Sequence, residues 1–318
     1  MKKVEKKITN FVVDQKLFFI IIVSIIVLGI VDRSFLTFSS LISILDHLTI
    51  NGIVAAGMTV LLISGWFDLS VGGVIAFTGV ITIMLQPFGL FISILGGLLA
   101  GTSVGALNGL LVVKGKINAF IVTLGTMIIF RGLSLGITNS TPVKGTIDAF
   151  KVIGQGSVLG IPYRVLLLII IYVVVWYVLK FTKFGRNDYA IGGNLLAARL
   201  AGINVNLYTF LYFVFSSFTA AITGIVLSSS INTASAIFGT GIELLVIVSC
   251  VLGGASLFGG KGGVIGTIQG VLIFGIIERT MVVFNIDTNY QSLFRGLIII
   301  AIVVMDTVTS KRREELVL

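Results

Sequence analysis

The sequence predicts an all-α, polytopic membrane protein with about ten transmembrane helices and both termini cytoplasmic. Of its 318 residues, 56% are hydrophobic and only 11% are charged, against about 25% charged in soluble domains. The mean hydropathy is +1.13. Apolar runs broken by polar or glycine-rich joints recur along the chain, and a spanning helix needs ~20 mainly apolar residues. This balance excludes a disordered chain, and the single cysteine, Cys250, excludes a disulfide framework and argues against a cysteine metal site.

The segment 1–16 carries Lys2, Lys3, Lys6, Lys7 and Lys16 ahead of the first apolar run, 17–31. No small-x-small cleavage pattern follows, so the run reads as a retained span with a cytoplasmic N-terminus rather than a signal peptide. The further spans are 48–64, 72–86, 89–113, 119–137, 165–180, 208–229, 242–258, 262–284 and 292–309, followed by a cytoplasmic tail, 310–318. Runs 17–31 and 72–86 are short for a crossing and extend into polar flanks. No soluble domain fits, so 1–318 is one transmembrane domain. Its longest connections are an outer loop, 138–164, and a cytoplasmic loop, 181–207. Pro142, Pro162 and several glycines predict irregular backbone with a short helix in the outer loop.

Charge tests this topology independently. With ten crossings, fifteen of the 22 lysines and arginines fall inside, including Lys114, Lys116, Lys180, Lys183, Arg186, Arg199, Lys261 and Lys311 to Arg313. The other seven lie outside or near outer helix ends. That asymmetry obeys the positive-inside rule, and removing one span would invert every later loop. The net charge of +9 therefore reflects membrane orientation and does not signal nucleic acid.

Glycine is partly ordered. Gly97, Gly101, Gly105 and Gly109 recur every four residues in one span, as do Gly262, Gly266 and Gly270 in another. At helical spacing such stripes let a neighbouring backbone approach closely; a smooth wall beside a solute path is compatible with this. The match of Gly72 to Ile75 with Gly262 to Ile265 is weak evidence of a repeat in so glycine-rich a chain.

No motor or catalytic motif is present. A phosphate-binding loop needs Gly, four residues, then Gly-Lys-Ser/Thr. The nearest stretch, Ala255 to Gly262, has Ala in place of the first Gly and Gly262 in place of the hydroxyl. His47 has no metal-ligand partner nearby in sequence and reads as structural or interfacial, and Glu314 and Glu315 sit in a charged tail. An enzyme is disfavoured, and no cofactor is expected on this chain.

Polar residues in or beside apolar runs are costly and therefore informative. Asp68, in Ser64-Gly-Trp-Phe-Asp-Leu-Ser-Val-Gly72, suits an N-cap, with a solute contact as the other reading. Glu243 opens an outer helix end, where an acid is favourable. Asn51, Asn108, Thr123, Asn232 and Gln269 either bond between helices or face a polar pathway, and Trp66 beside Asp68 could narrow that pathway. In the cytoplasmic loop, Asn194 can cap a short helix ending at Gly202. Such a helix either docks into a partner's groove or lies on the membrane surface.

Several blocks in one order carry a resemblance: Gly57-Met58-Thr59 with Asp68 to Gly72, Phe184 to Ile203, Gly239 to Leu244, and Val251 to Gly254 with Gly259 to Gly262. From about residue 11 to 308 the chain resembles permease subunits of ribose-type (monosaccharide) ABC importers. The resemblance implies a second permease copy, identical or a close paralogue, a cytoplasmic ATPase that holds ATP and Mg, and an extracytoplasmic sugar-binding protein. By that likeness Gly185, Arg186, Tyr189, Ala190, Gly192, Asn194, Ala197, Ala198 and Gly202 form the segment seated on the ATPase, favouring docking for the short helix. Solute-pathway candidates are Asn51, Trp66, Asp68, Thr123 and Glu243. Trp66 stands where the family usually has a small residue, Leu245 where it often has Asp, and Leu195 where an acid is common. The expected function is ATP-driven import of a sugar or sugar-like solute through the cell membrane. The alternative is an ion-coupled secondary transporter, which needs an intramembrane acidic site.

Overall fold

The computed structural model describes residues 16–31 and 37–315. The cytoplasmic assignment of the N-terminal segment rests on residues up to 15, which lie outside the described ones, as does the side chain of His47. The helices are α1 (Lys16–Val31), α2 (Phe38–Ile63), α3 (Val71–Met84), α4 (Leu90–Val113), α5 (Ala119–Ile137), α6 (Lys151–Gln155) and α7 (Tyr163–Phe181). They continue with α8 (Lys183–Gly193), α9 (Leu195–Leu200), α10 (Val205–Ile231), α11 (Ile242–Leu252), α12 (Val264–Val283) and α13 (Thr288–Glu315). Each of the ten expected runs contains a helix. By length and composition α4, α5, α7, α10 and α12 are able to cross a membrane, while the apolar stretches of the others, such as Leu48–Ile63 in α2 and Asn289–Val304 in α13, are shorter.

Three boundaries differ most from the hydropathy reading. α2 starts at Phe38, ten residues before the apolar run, because its polar first half is paired: Asp46 forms an ion pair with Arg164 of α7, and the Thr49 hydroxyl donates to Leu45 O at 3.0 Å. α11 ends at Leu252 rather than 258, since Gly254, Gly259, Gly260 and Gly262 all take positive φ and turn the chain into a tight loop. α13 runs on through the charged residues to Glu315. The outer loop holds the expected short helix, α6, beside a two-residue hairpin of β2 (Ser157–Val158) and β3 (Ile161–Pro162). β1 (Val143–Lys144) pairs antiparallel with β4 (Thr233–Ala234). Gln86 Oε1 accepts from Thr146 N at 2.5 Å and Ile147 N at 2.9 Å, tying this loop to the end of α3.

α10 is the hub and packs on α2, α3 and α4. The glycine stripes are what allow it. A Cβ on Gly105 would overlap the Phe213 carbonyl of α10, one on Gly109 would lie 3.0 Å from Phe210 Cα, and one on Gly101 would lie 2.6 Å from Ala221 Cβ. The second stripe works likewise: Cβ atoms on Gly266 and Gly270 would overlap the carbonyls of Gly253 and Ser249, so α12 lies directly against α11. The main core, including Val54, Met58, Ile75, Val104, Ala221 and Val246, sits where these helices meet. Outward faces remain apolar: Phe91 is 77% exposed and Ile121 62%, far beyond the scattered apolar exposure of a water-facing surface. The contacts of Gly109 with Phe210 and of Gly260 N with Ile63 O (2.8 Å) place the basic joints 114–116, 181–204 and 253–263 at one end of the bundle.

We predict that Gly105→Val costs about 1–3 kcal/mol of stability through overpacking. Gly125→Ala, at a site with nothing within 4 Å of the new atom, should stay within about 0.5 kcal/mol. Thermal unfolding of the detergent-solubilised variants measures both.

Candidate functional site

The first site is the α7–α10 connection. Thr182 caps α8, its hydroxyl accepting from Gly185 N and donating to Val178 O at 2.6 Å. Asn194 then breaks the helix in extended conformation and caps α9, its side chain accepting from Ala197 N at 2.9 Å. Gly202, with φ of +82°, ends the turn while Ile203 N donates to Ala198 O at 3.1 Å. The outcome is two short helices around one asparagine.

This unit is clamped to the bundle. Gly185 lies against Leu179 and Gly192 against the carbonyl of Ile63, with no space for a Cβ at either. Ile63 O, left open by the end of α2, also accepts from Gly260 N. The Tyr189 hydroxyl donates to Gly262 O at 2.9 Å, and the Tyr212 hydroxyl of α10 donates to Phe184 O at 3.2 Å. Phe184 packs edge-on against the Tyr212 ring at 4.8 Å. One node therefore joins α8, the end of α2, the 253–263 loop and α10. Of the residues assigned to this segment, Gly185, Tyr189, Gly192 and Ala198 face the bundle, whereas Arg186, Ala190, Asn194, Ala197 and Gly202 are exposed. Leu196 and Leu200, one turn apart, are 67% and 82% exposed and give the unit an apolar outer face.

Sequence reasoning missed Asp188. It is fully buried, and neither carboxylate oxygen has a hydrogen-bond partner. Burial pushes its carboxyl well above the usual carboxylate range, and only the Ser64 hydroxyl opposes this; that hydroxyl already donates to Leu61 O at 2.9 Å. The signal was there: Phe184, Asp188 and Ile191 share one face of α8 at helical spacing.

The second site lies deeper. α3 has 14 residues, about 21 Å at 1.5 Å per residue, too short for the ~30 Å hydrocarbon core. It begins inside the protein, after the broken stretch 64–70. Asp68 is not the helix N-cap; Ser70 holds that position, and Asp68 accepts from Ser70 N at 2.7 Å and Ser70 Oγ at 2.5 Å. Asn108 of α4 donates to Ser70 Oγ at 2.8 Å, and Ser216 of α10 reaches Asp68 at 3.5 Å. Irregular backbone at this depth is tolerated because it is enclosed by protein. Asp68 and Thr123 are fully buried, and Thr123 donates to Ala119 O at 2.8 Å. Trp66 is half-buried with its Nε1 unpartnered.

Glu243 opens the 11-residue α11, and the starts of α3 and α11 converge: a Cβ on Gly239 would lie 3.0 Å from Gly72 O. Glu243 Oε2 and Arg131 Nη2 of α5 flank one point, 2.5 and 3.1 Å from a Cβ built on Gly72. Glu243 Oε2 and Arg131 Nε and Nη2 are buried without hydrogen-bond partners. Arg131 was legible as a lone cation inside an apolar run, though it reads there as an outer helix end. A carboxylate, a guanidinium and two helix N-termini thus meet, a donor and acceptor set suited to hydroxyl-bearing solutes. Asn51 lines a cavity of about 510 Å³ that reaches the start of α11 at Gly239, Thr240 and Gly241 and also holds Glu278 and Arg295, an ion pair at 3.0 Å. Among the described residues, no group of three or more His, Cys, Asp or Glu is placed to hold a metal ion.

Residues 40–303 match the family described as "Branched-chain amino acid transport system / permease component". The chain is similar to the ribose import permease protein RbsC of Haemophilus influenzae, 37% identical over 306 residues, covering 94% of this chain and 95% of that one. It is likewise similar to RbsC of Bacillus subtilis, 36% identical over 308 residues with 95% and 96% coverage. The L-arabinose transport system permease protein AraH of Escherichia coli is 38% identical over 282 residues, with 88% and 86% coverage. No solved structure matches.

Asp188 yields a signed pH prediction. Its carboxyl is raised in the folded state, so folding favours the protonated form, and stability falls as pH climbs from the ordinary carboxylate value toward the raised one. Asp188→Asn keeps the shape without the charge. The variant should melt higher at neutral pH, by about 2–4 °C per kcal/mol relieved, and lose wild-type gain on acidification. Differential scanning between pH 5 and 8 checks it.

Proposed function

The chain belongs to the family of branched-chain amino acid transport system permease components, and on that premise we propose that it is the membrane-spanning permease of a binding-protein-dependent ABC importer for a sugar or sugar-like solute. It is a transport subunit rather than an enzyme. Sugar rather than amino acid is the assigned class because the relatives named above are ribose and arabinose permeases.

The observation that carries the mechanism is the clamped α8–Asn194–α9 unit with its exposed outer face. Ten apolar segments cross the cell membrane, α3 and α11 together with the non-helical stretches that flank them, both termini are cytoplasmic, and the end bearing the basic joints faces the cytoplasm. There the unit seats on a separate ATPase that holds ATP and Mg, while an extracytoplasmic sugar-binding protein docks on the opposite face. Two permease copies, identical or closely paralogous, enclose the pathway. ATP shifts the equilibrium between outward and inward states only by its differential affinity for them. Movement of the docked unit passes through Tyr189 and Gly192 to α2 and the 253–263 loop. The solute meets the Glu243–Arg131 pair, with Trp66 below it.

Reconstitution with the ATPase and binding protein should give uptake of labelled ribose or arabinose that requires ATP and survives collapse of ion gradients. Uptake that needs the gradient and ignores ATP overturns the reading. Arg186→Glu and Gly202→Pro, the latter forcing proline into positive φ, should each lower solute-stimulated ATP hydrolysis by about 5- to 150-fold, the usual span of coupling energies, with insertion intact. For the pathway, a double-mutant cycle of Glu243→Gln and Arg131→Gln on uptake rate should show a coupling of about 0.5–3 kcal/mol; additive effects would remove the pair from the pathway.

A further inference from the structure

The outer surface of the bundle carries a feature that the transport cycle does not use. α7 leans on α2 near its middle, where a Cβ on Gly52 would lie 2.8 Å from Leu168 Cδ1 and the Tyr172 hydroxyl donates to Gly52 O at 2.9 Å. Beyond that contact, α7 and α12 leave an open furrow of about 400 Å³, lined by Leu168, Val173, Trp176, Ile265, Ile268 and Leu272. The Tyr172 hydroxyl is already spent on Gly52 O, so the walls are apolar. Val173 is 57% exposed and Ile265 63%.

The furrow continues, through Trp176, Val264 and Ile265, into a second cavity of about 630 Å³ at the end of α7. This second cavity is different in kind, being rimmed by Lys180, Arg186 and Tyr189. Lys180 Nζ lies 5.2 Å from the Trp176 ring and 5.4 Å from that of Phe181. Arg186 reaches the Phe181 carbonyl at 3.5 Å. Neither cation pairs with a carboxylate among the described residues, and the nearby Asp188 is fully buried.

We propose that this joined furrow and basic pocket is a binding site for one anionic phospholipid of the cytoplasmic leaflet, its phosphate between Lys180 and Arg186 and an acyl chain along α7 and α12. The charge supplies the argument: an apolar furrow at membrane depth accepts any chain, but a rim with two uncompensated cations selects a negative head. An indole and a phenol at the junction suit the membrane interface. The cytoplasmic side rests on the topology proposed above. Lys180 belongs to the span rather than to the ATPase-seated segment, which lets the headgroup role be tested apart from coupling.

Trp66 and Trp176 are the tryptophans of this chain, so Trp66→Phe leaves Trp176 as the fluorophore at the junction. The full chain in nanodiscs of mixed phosphatidylcholine and phosphatidylglycerol, with one or the other lipid brominated, reports which lipid sits there. Brominated phosphatidylglycerol should quench Trp176 several-fold more strongly at equal mole fraction, and Lys180→Gln should cut that preference about fivefold, as expected for one cation near an anionic surface. Val173→Trp in the furrow, read by native mass spectrometry, should reduce co-purified phosphatidylglycerol. Equal quenching by both lipids marks an ordinary lipid-facing surface and overturns the proposal. Absence of quenching by either means that protein, such as a second copy, covers the furrow, which also overturns it. Relief of quenching by soluble glycerol phosphate would make the pocket a free-anion site and defeat the lipid assignment. Sugar uptake is read separately, so failure here leaves the importer reading untouched.

Discussion

The close approach of backbones at glycine governs this architecture. Lipid offers no hydrophobic drive between helices, so association relies on dispersion and on short interhelical contacts, both of which need proximity. α4 meets α10 along Gly101, Gly105 and Gly109, and α12 meets α11 along Gly266 and Gly270, with carbonyls where a Cβ would stand. That proximity creates the interior in which polar and irregular segments survive. The broken stretch before α3 persists because Asp68, Ser70, Asn108 and Ser216 satisfy one another inside it.

Enclosure of that kind is what makes the two short helices useful. α3 and α11 each stop well short of the membrane's thickness, and their N-termini converge beside Arg131 and Glu243, that of α3 buried and that of α11 next to exposed Thr240 and Gly241. Arg131 Nε and Nη2 and Glu243 Oε2 have no hydrogen-bond partners there, and in the proposed pathway these atoms are what a passing hydroxylated molecule would meet.

The α8–Asn194–α9 unit repeats the logic at the bundle's end. An open carbonyl at the close of α2, Ile63 O, is covered by Gly192 and bonded by Gly260 N, so two loops and two long helices share one point. In the proposed cycle a force applied to α8 and α9 reaches α2 through this point. Buried, unpartnered Asp188 sits in this node at a cost in stability, a sign that the node is not built for stability alone.

The sequence by itself located the apolar helices, the glycine faces and the Asn194 cap, because each follows from local periodicity, composition or capping chemistry. Only the tertiary structure decided how far α2 reaches, since Arg164, 118 residues away, is what admits Asp46 to the helix. The same holds for α11, whose apolar run continues to Phe258 while its glycines turn the chain away. Hydropathy sees Arg131, Glu243 and Asp188 one at a time. Which of them face each other, and which face nothing, depends on helix rotation and depth, and these are set by packing between segments more than a hundred residues apart.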